Sequence, residues 1–228
     1  MSKKQIEYNS AQMKLFTDVV FQSHLQTIHK LASKFSNSSD SNLRRLFRNS
    51  KSAGQDFDGF IKKNFSKIIR EEENQNTIAK SLFILVFSYI EDYFNSLCAI
   101  YKEDDPSLVI SLNDINGKGI TRAKIYLEKV IKLPNFISNS EWEKLTLLTT
   151  LRNKIVHAGS FAEKDLSKKI EKFYNVDLIR ISDNEQILLS IQFVKEFIDE
   201  FHISFLKRRT FDYILKPKKP RKKKSNDA

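Results

Sequence analysis

Between Thr77 and Tyr101 the large apolar residues Phe83, Ile84, Phe87, Ile90, Phe94 and Leu97 recur at helical spacing. On an α-helix that spacing gathers the side chains onto one face, whereas on a strand it would scatter them over two. A face this long and apolar must be covered by other elements, so this segment is the natural core helix of the chain. Punctuation agrees: 5 Gly and 4 Pro in 228 residues leave few positions for tight turns. The expectation is a mainly all-α fold, an antiparallel helical bundle with a small β-hairpin near the C-terminal helix.

The rest of the chain divides around that helix. A first helix is expected from Ser10 to Phe35, with Met13, Phe16, Val20, Leu25, Ile28, Leu31 and Phe35 as its apolar stripe. Asn37 to Ser41 reads as a polar break. Leu43 to Phe47 reads as a short helical turn made basic by Arg44, Arg45, Arg48 and Lys51. A loop at Gly54 to Gly59 precedes a helix from Phe60 to Arg70, interrupted at Glu71 to Asn76. Pro106, Gly117 and Gly119 make Asp104 to Gly119 a loop, and Ile120 to Leu133 is helical up to Pro134. Ser140-Glu141-Trp142-Glu143 has the form of a capping box, opening a helix that runs to His157. After a short helix at Leu166 to Phe173, Asp177 to Ser182 and Gln186 to Ser190 form a hairpin through Asp183-Asn184-Glu185. Ile191 to Leu206 or beyond is the last helix. Residues 1–70 are thus an N-terminal helical extension packing on a core of residues 77–210, and residues 216–228 are a disordered basic tail.

Charge and composition narrow the function classes. The net charge is +11, but seven basic residues sit between Lys216 and Lys224, so the body of the chain is only moderately basic. Pro217 and Pro220 block helix in that tail, which suits either a salt-sensitive nucleic-acid arm or a solubilising terminus. Cys98 is the single cysteine, which excludes an intramolecular disulfide or a cysteine-built zinc site and makes it a small core residue. The apolar run from Leu82 to Ile90 is too short to cross a bilayer, and no leader opens the chain. A cytoplasmic protein without a membrane partner is expected. No Gly-rich phosphate loop is present, and His24 and His29 lack a ligand partner at metal spacing. They and His202 read as ordinary surface or boundary residues, and no cofactor or metal site is expected.

One cluster carries chemistry. Leu151-Arg152-Asn153-Lys154-Ile155-Val156-His157 closes the capped helix, with Gly159 suited to a left-handed C-terminal position. Chance alone puts an Arg five residues before a His in about one chain in six of this composition. The weight therefore falls on context. Asn153 and His157 are four apart and share a helix face, while Trp142, Leu145, Leu148, Leu151 and Ile155 keep the helix amphipathic. Arginine offers a permanent, fork-shaped charge for phosphate, and histidine can hold or release a proton near neutral pH. RNA cleavage through its own 2′-hydroxyl needs a base, an acid and positive charge on the crowded phosphate. His157 is suited to serve as the base or the acid, one histidine where two proton transfers are needed, and Arg152 to brace the phosphate, with Asn153 orienting the imidazole or touching the nucleotide. Glu91 and Asp92 are further candidates to hold Arg152, although a structural role is favoured for both.

The segments Tyr89-Ile90-Glu91-Asp92-Tyr93-Phe94, Gly119-Ile120-Thr121-Arg122-Ala123-Lys124 and Leu151 to His157 together resemble a HEPN-domain protein of the stand-alone, RiboL-PSP type. The resemblance spans roughly residues 77 to 206 and leaves the first 70 unexplained. It implies a HEPN-type helical bundle that dimerises with two motifs facing each other. It also implies a metal-independent endoribonuclease acting as a toxin or anti-phage defence effector, with RNA as substrate and a cognate antitoxin or sensor protein as a further partner. Arg152, Asn153 and His157 fill the family's motif positions. Toxins of this family silenced by nucleotide transfer carry a Tyr two residues after the His; Gly159 stands there instead, so that control is not expected. The alternative is a catalytically inactive helical module that binds RNA, nucleotide or a partner protein.

Overall fold

The computed structural model describes residues 3–52, 54, 56–133 and 137–202. Two long helices form its frame, α1 (Lys3–Ser52) and α2 (Phe57–Asp104). They pair antiparallel, as an ion pair from Lys14 to Asp104 at one end and a hydrogen bond from Gln75 to Ser39 further along establish. Asp56 opens α2, its Oδ1 accepting from Gly59 N at 2.7 Å and so satisfying one of the free amides of the first turn. Both helices are continuous. The expected breaks at Asn37–Ser41 and Glu71–Asn76 do not occur, because each segment's polar residues find partners within the helix pair. Ser39 is buried against Gln75, and Ser41 Oγ donates to Asn37 O at 2.8 Å.

The expected stripe of α1 is corrected as well. Leu25 and Ile28 are buried as anticipated, but Met13, Phe16, Leu31 and Phe35 are exposed, Phe16 by 70%. The face turned to α2 instead runs through Ser10, Lys14, Asp18, Phe21, Leu25, Ile28, Ala32 and Ser39. Three of its four polar members are paired: Lys14 lies 3.9 Å over the Tyr101 ring beside Asp104, Tyr93 donates its hydroxyl to Asp18, and Ser39 accepts from Gln75. A buried polar group with a partner costs little, so this helix hides its packing face from a count of apolar residues.

The remaining elements wrap the lower half of that pair. A 3₁₀ turn at Leu112–Asp114 leads to α3 (Gly119–Ile125), which continues through a π-helical turn at Tyr126–Val130 closed by Ile131 N donating to Tyr126 O at 3.0 Å. Then come α4 (Asn139–His157), α5 (Lys164–Glu171), the strands β1 (Ile179–Ile181) and β2 (Ile187–Leu189), and α6 (Ile191–Phe201). The strands pair antiparallel with Ile179 opposite Leu189 and Ile181 opposite Ile187, the hairpin read from the sequence. α4 starts two residues early, with Ser138 and Glu141 forming the capping box in place of Ser140 and Glu143. The expected final helix beyond residue 202 and the basic tail lie outside the described residues.

The core is aromatic. Phe83 sits within 6 Å of the rings of Phe87, Phe193 and Phe197, and Phe21 joins Tyr93 to Phe201. These contacts make α6 run parallel to α2 and antiparallel to α1. α2 also holds a stretch apolar and long enough, by length and composition only, to cross a membrane; half of that window is buried inside the bundle, the pattern of a core helix. Cys98 is buried, its thiol 3.7 Å from Ala123 O on α3, and burial pushes it up to about 12. At pH 8 such a thiol holds roughly a thousandfold less thiolate than a free one. Iodoacetamide should therefore leave Cys98 unmodified in the folded protein and label it once the protein is denatured, as read by intact mass.

Candidate active site

The motif residues occupy the last turns of α4. Leu151 and Ile155 are buried in the core and α4 packs on α2, which leaves Asn153, Val156 and His157 on the solvent side and Arg152 half-buried at the flank. Arg152 Nη1 donates to Asn153 Oδ1 at 3.1 Å. That bond aligns the amide with the guanidinium and leaves the other N–H groups of the fork available for an anion. Lys154 pairs with Glu163 at 3.4 Å, a half-exposed contact of small energetic weight. His157 has no hydrogen-bond or ion-pair partner among the described residues.

The turn after His157 is rigidly closed. Gly159 takes φ 59°, the left-handed conformation expected for it, and Ser160 follows at φ 68°. Ala158 N and Ser160 N both donate to Lys154 O, satisfying a carbonyl of the last turn. Ser160 O in turn accepts from Ile187 N at 2.8 Å, and Leu189 N donates to Asn76 Oδ1 on α2 at 3.0 Å. Two hydrogen bonds thus tie the end of the motif helix, through β2, to α2 near Asn76. Phe161 and Val156 flank His157 as exposed apolar side chains.

Glu91 does not reach the motif. Its carboxylate stands against Gly119, the first residue of α3, where a Cβ would sit 3.1 Å from Glu91 Oε1 and where a φ of 55° strains any other residue. Glu91 there faces the positive end of α3, a structural position. Asp92 is exposed and makes no described contact with Arg152. His24 stacks on Tyr89 at 4.2 Å, and His29 lies 3.5 Å from Asp199. Among the described residues no group of three or more His, Cys, Asp or Glu is arranged to hold a metal ion.

Two concavities lie elsewhere. One is lined by Ile137, Leu145, Leu148, Tyr174, Phe197 and Phe201, with the Lys144–Glu200 ion pair at its edge. Burial there, with the Glu200 charge nearby, holds the Tyr174 hydroxyl well above the ordinary phenol range. The other lies between the distal ends of α1 and α2, lined by Leu43, Arg44, Phe47, Arg48, Phe60 and Ile68. Neither includes a motif residue. No family model, curated protein or solved structure matches this chain.

Proposed function

We propose that this chain is a metal-independent endoribonuclease of HEPN type. The observation that carries the reading is the presentation of Arg152, Asn153 and His157 at the end of a helix whose opposite face is anchored in the core. The side chains offered to solvent are a guanidinium, an amide and an imidazole, the set that phosphate charge and proton transfer require. In the reaction the imidazole takes the 2′-hydroxyl proton, the resulting oxygen attacks the adjacent phosphorus, and the 5′-oxygen leaves with a proton from an acid. Arg152 steadies the phosphoryl oxygens throughout.

One chain supplies one motif histidine for two proton transfers. Arg152 and His157 also stand about 140° apart around the helix, so they do not converge by themselves. A homodimer with its two-fold axis beside α4 removes both shortfalls, since the second copy's histidine serves as the acid. Exposed Val156 and Phe161 beside His157 offer an apolar seam for such a pairing. A toxin or anti-phage role in the cytoplasm, with an antitoxin or sensor protein as regulator, rests on the family resemblance alone.

The reading is tested by incubating the purified protein with RNA in EDTA: cutting that persists supports it, and a strict need for Mg²⁺ contradicts it. The second reading is a binding module without catalysis. It is favoured by the exposure of Asn153 and His157 and by the lack of a described group to orient His157. RNA retained without any cutting would establish it.

A further inference from the structure

Beyond the core, α1 and α2 continue together as a two-helix arm. Core residues extend on α1 only to Ala32 and resume on α2 only at Ala79. About 20 residues of each helix therefore pack chiefly on one another, over about 30 Å at 1.5 Å per residue. Phe60 and Asn64 are buried in that contact, and Gln75 bonds Ser39 at its root.

The face of the arm on the α6 side keeps the apolar pattern of the core. On α2, Phe83 and Phe87 meet Phe193 and Phe197 of α6. Phe65 and Ile69 stand about five turns before them at 3.6 residues per turn, and so share their face. Ile61 and Ile68 complete an i, i+4, i+7, i+8 stripe, the mark of a helix face that is covered. On α1, His29 meets Asp199 of α6, and Phe47 stands about five turns after it. Leu43 and Phe47 line one groove with Ile68. α6 starts at Ile191, just after Leu189 bonds Asn76, and runs away from the arm. Its cover ends there, and Phe65, Phe47 and Ile69 are 58%, 45% and 37% exposed. Exposed apolar side chains gathered on one face mark a contact surface.

Charge along this face is sorted by position. Arg44 and Arg48 line the groove toward the tip, with Lys62 on α2 and Asp58 at the far end. Asp40, Glu72 and Glu73 stand toward the root. All seven are exposed, and none has an ion-pair partner among the described residues. Arg45, Lys63, Lys67, Arg70 and Glu71 fall on other sides of their helices. A face apolar in the middle, basic toward one end and acidic toward the other is complementary to itself run in reverse. A two-fold axis crossing near Leu43 and Ile69 lays the tip of one arm on the root of another. Arg44, Arg48 and Lys62 then meet Asp40, Glu72 and Glu73 of the second copy, with Phe47 and Phe65 packed between. A polyanion would answer only the basic end.

We propose that the arms of two copies of this chain pack antiparallel through this face into a four-helix bundle. The pairing goes beyond the nuclease reading and does not rest on it, since that reading asks only for a two-fold beside α4.

The test is sedimentation velocity of the full-length chain at micromolar concentration. Every protein carries Val156→Glu, so that a pairing at α4 cannot stand in for the arms. The parent should sediment as a dimer. Phe65→Glu should abolish the dimer and leave the thermal melt in place, because the ring is largely exposed. Arg44→Glu with Arg48→Glu, and separately Glu72→Lys with Glu73→Lys, should each weaken the dimer at least tenfold by setting like charges together at both ends. Mixing those two proteins should restore association, since an acidic tip then meets a basic root. A monomeric parent would overturn the proposal and leave the groove to a different protein. A dimer that Phe65→Glu and both charge swaps leave intact would overturn it too, as would swapped proteins that stay apart when mixed. RNA cleavage plays no part in these readouts, so a chain that pairs by its arms and never cuts RNA would keep this inference and lose only the nuclease.

Discussion

On the proposed nuclease reading, His157→Ala is expected to abolish RNA cleavage, the turnover of an oligonucleotide falling by about 10² to 10⁴, the contribution of a positioned general acid or base. The loss will not come from unfolding. His157 is exposed in the last turn of α4, and the buried Leu151 and Ile155 hold that helix without it. Binding of RNA should change little, since the imidazole touches a proton in flight rather than the bulk of the strand. Arg152→Lys should also lose most activity, because an ammonium cannot reproduce the two-pronged grip of a guanidinium on phosphoryl oxygens. Thermal melts recorded beside the rates separate chemistry from stability. Full activity in His157→Ala would end the assignment of this residue.

The second large effect is on stability. Phe83 is fully buried, with Phe87 at 5.0 Å, Phe193 at 5.7 Å and Phe197 at 5.9 Å between ring centroids. Truncation to Ala deletes a ring from the contact between α2 and α6 and leaves a void that three neighbouring rings can only partly fill. The expected cost is about 3–5 kcal/mol in urea unfolding, a large part of the roughly 5–15 kcal/mol that holds a domain of ordinary stability together. Phe16→Ala is the companion measurement. With Phe16 70% exposed on α1, its removal should cost under about 0.5 kcal/mol. A sequence stripe read as core predicts similar losses for both, so the pair of values decides between the two packing faces.

That contrast shows where the chain was legible. The segment from Phe83 to Leu97 announced its buried face because its neighbours on that face are uniformly apolar. The β-hairpin was equally plain, since Asp183-Asn184-Glu185 separates two short apolar runs, and Glu185 takes the left-handed conformation at φ 61° that closes such a turn. α1 was not legible, because three of the eight residues on its packing face are Lys14, Asp18 and Ser39, whose partners Asp104, Tyr93 and Gln75 lie 36 to 90 residues away. Nothing local identifies such a pair. The capping box slipped by two positions because Ser138 and Ser140 each precede a glutamate by three, and the buried Ile137 directly before Ser138 favours the earlier start.

The candidate site divides the same way. Arg152, Asn153 and His157 were visible as a local run on one helix, and Gly159 as its stop. The distal halves of α1 and α2 were visible only in fragments: the basic residues around Arg44 stood out, but reading Asn37–Ser41 and Glu71–Asn76 as breaks hid that each helix is continuous.

Which atom attacks the phosphate is read from the ends of the products. An RNA oligonucleotide is incubated with the protein in EDTA, next to the same oligonucleotide carrying a single 2′-deoxy sugar at the cleaved position, and the product ends are identified by mass. Attack by the 2′-hydroxyl under Arg152 and His157 yields a 2′,3′-cyclic phosphate and a 5′-hydroxyl from the first substrate and no cut at that position in the second. A 5′-phosphate product, or cleavage beside the deoxy sugar, would contradict the account.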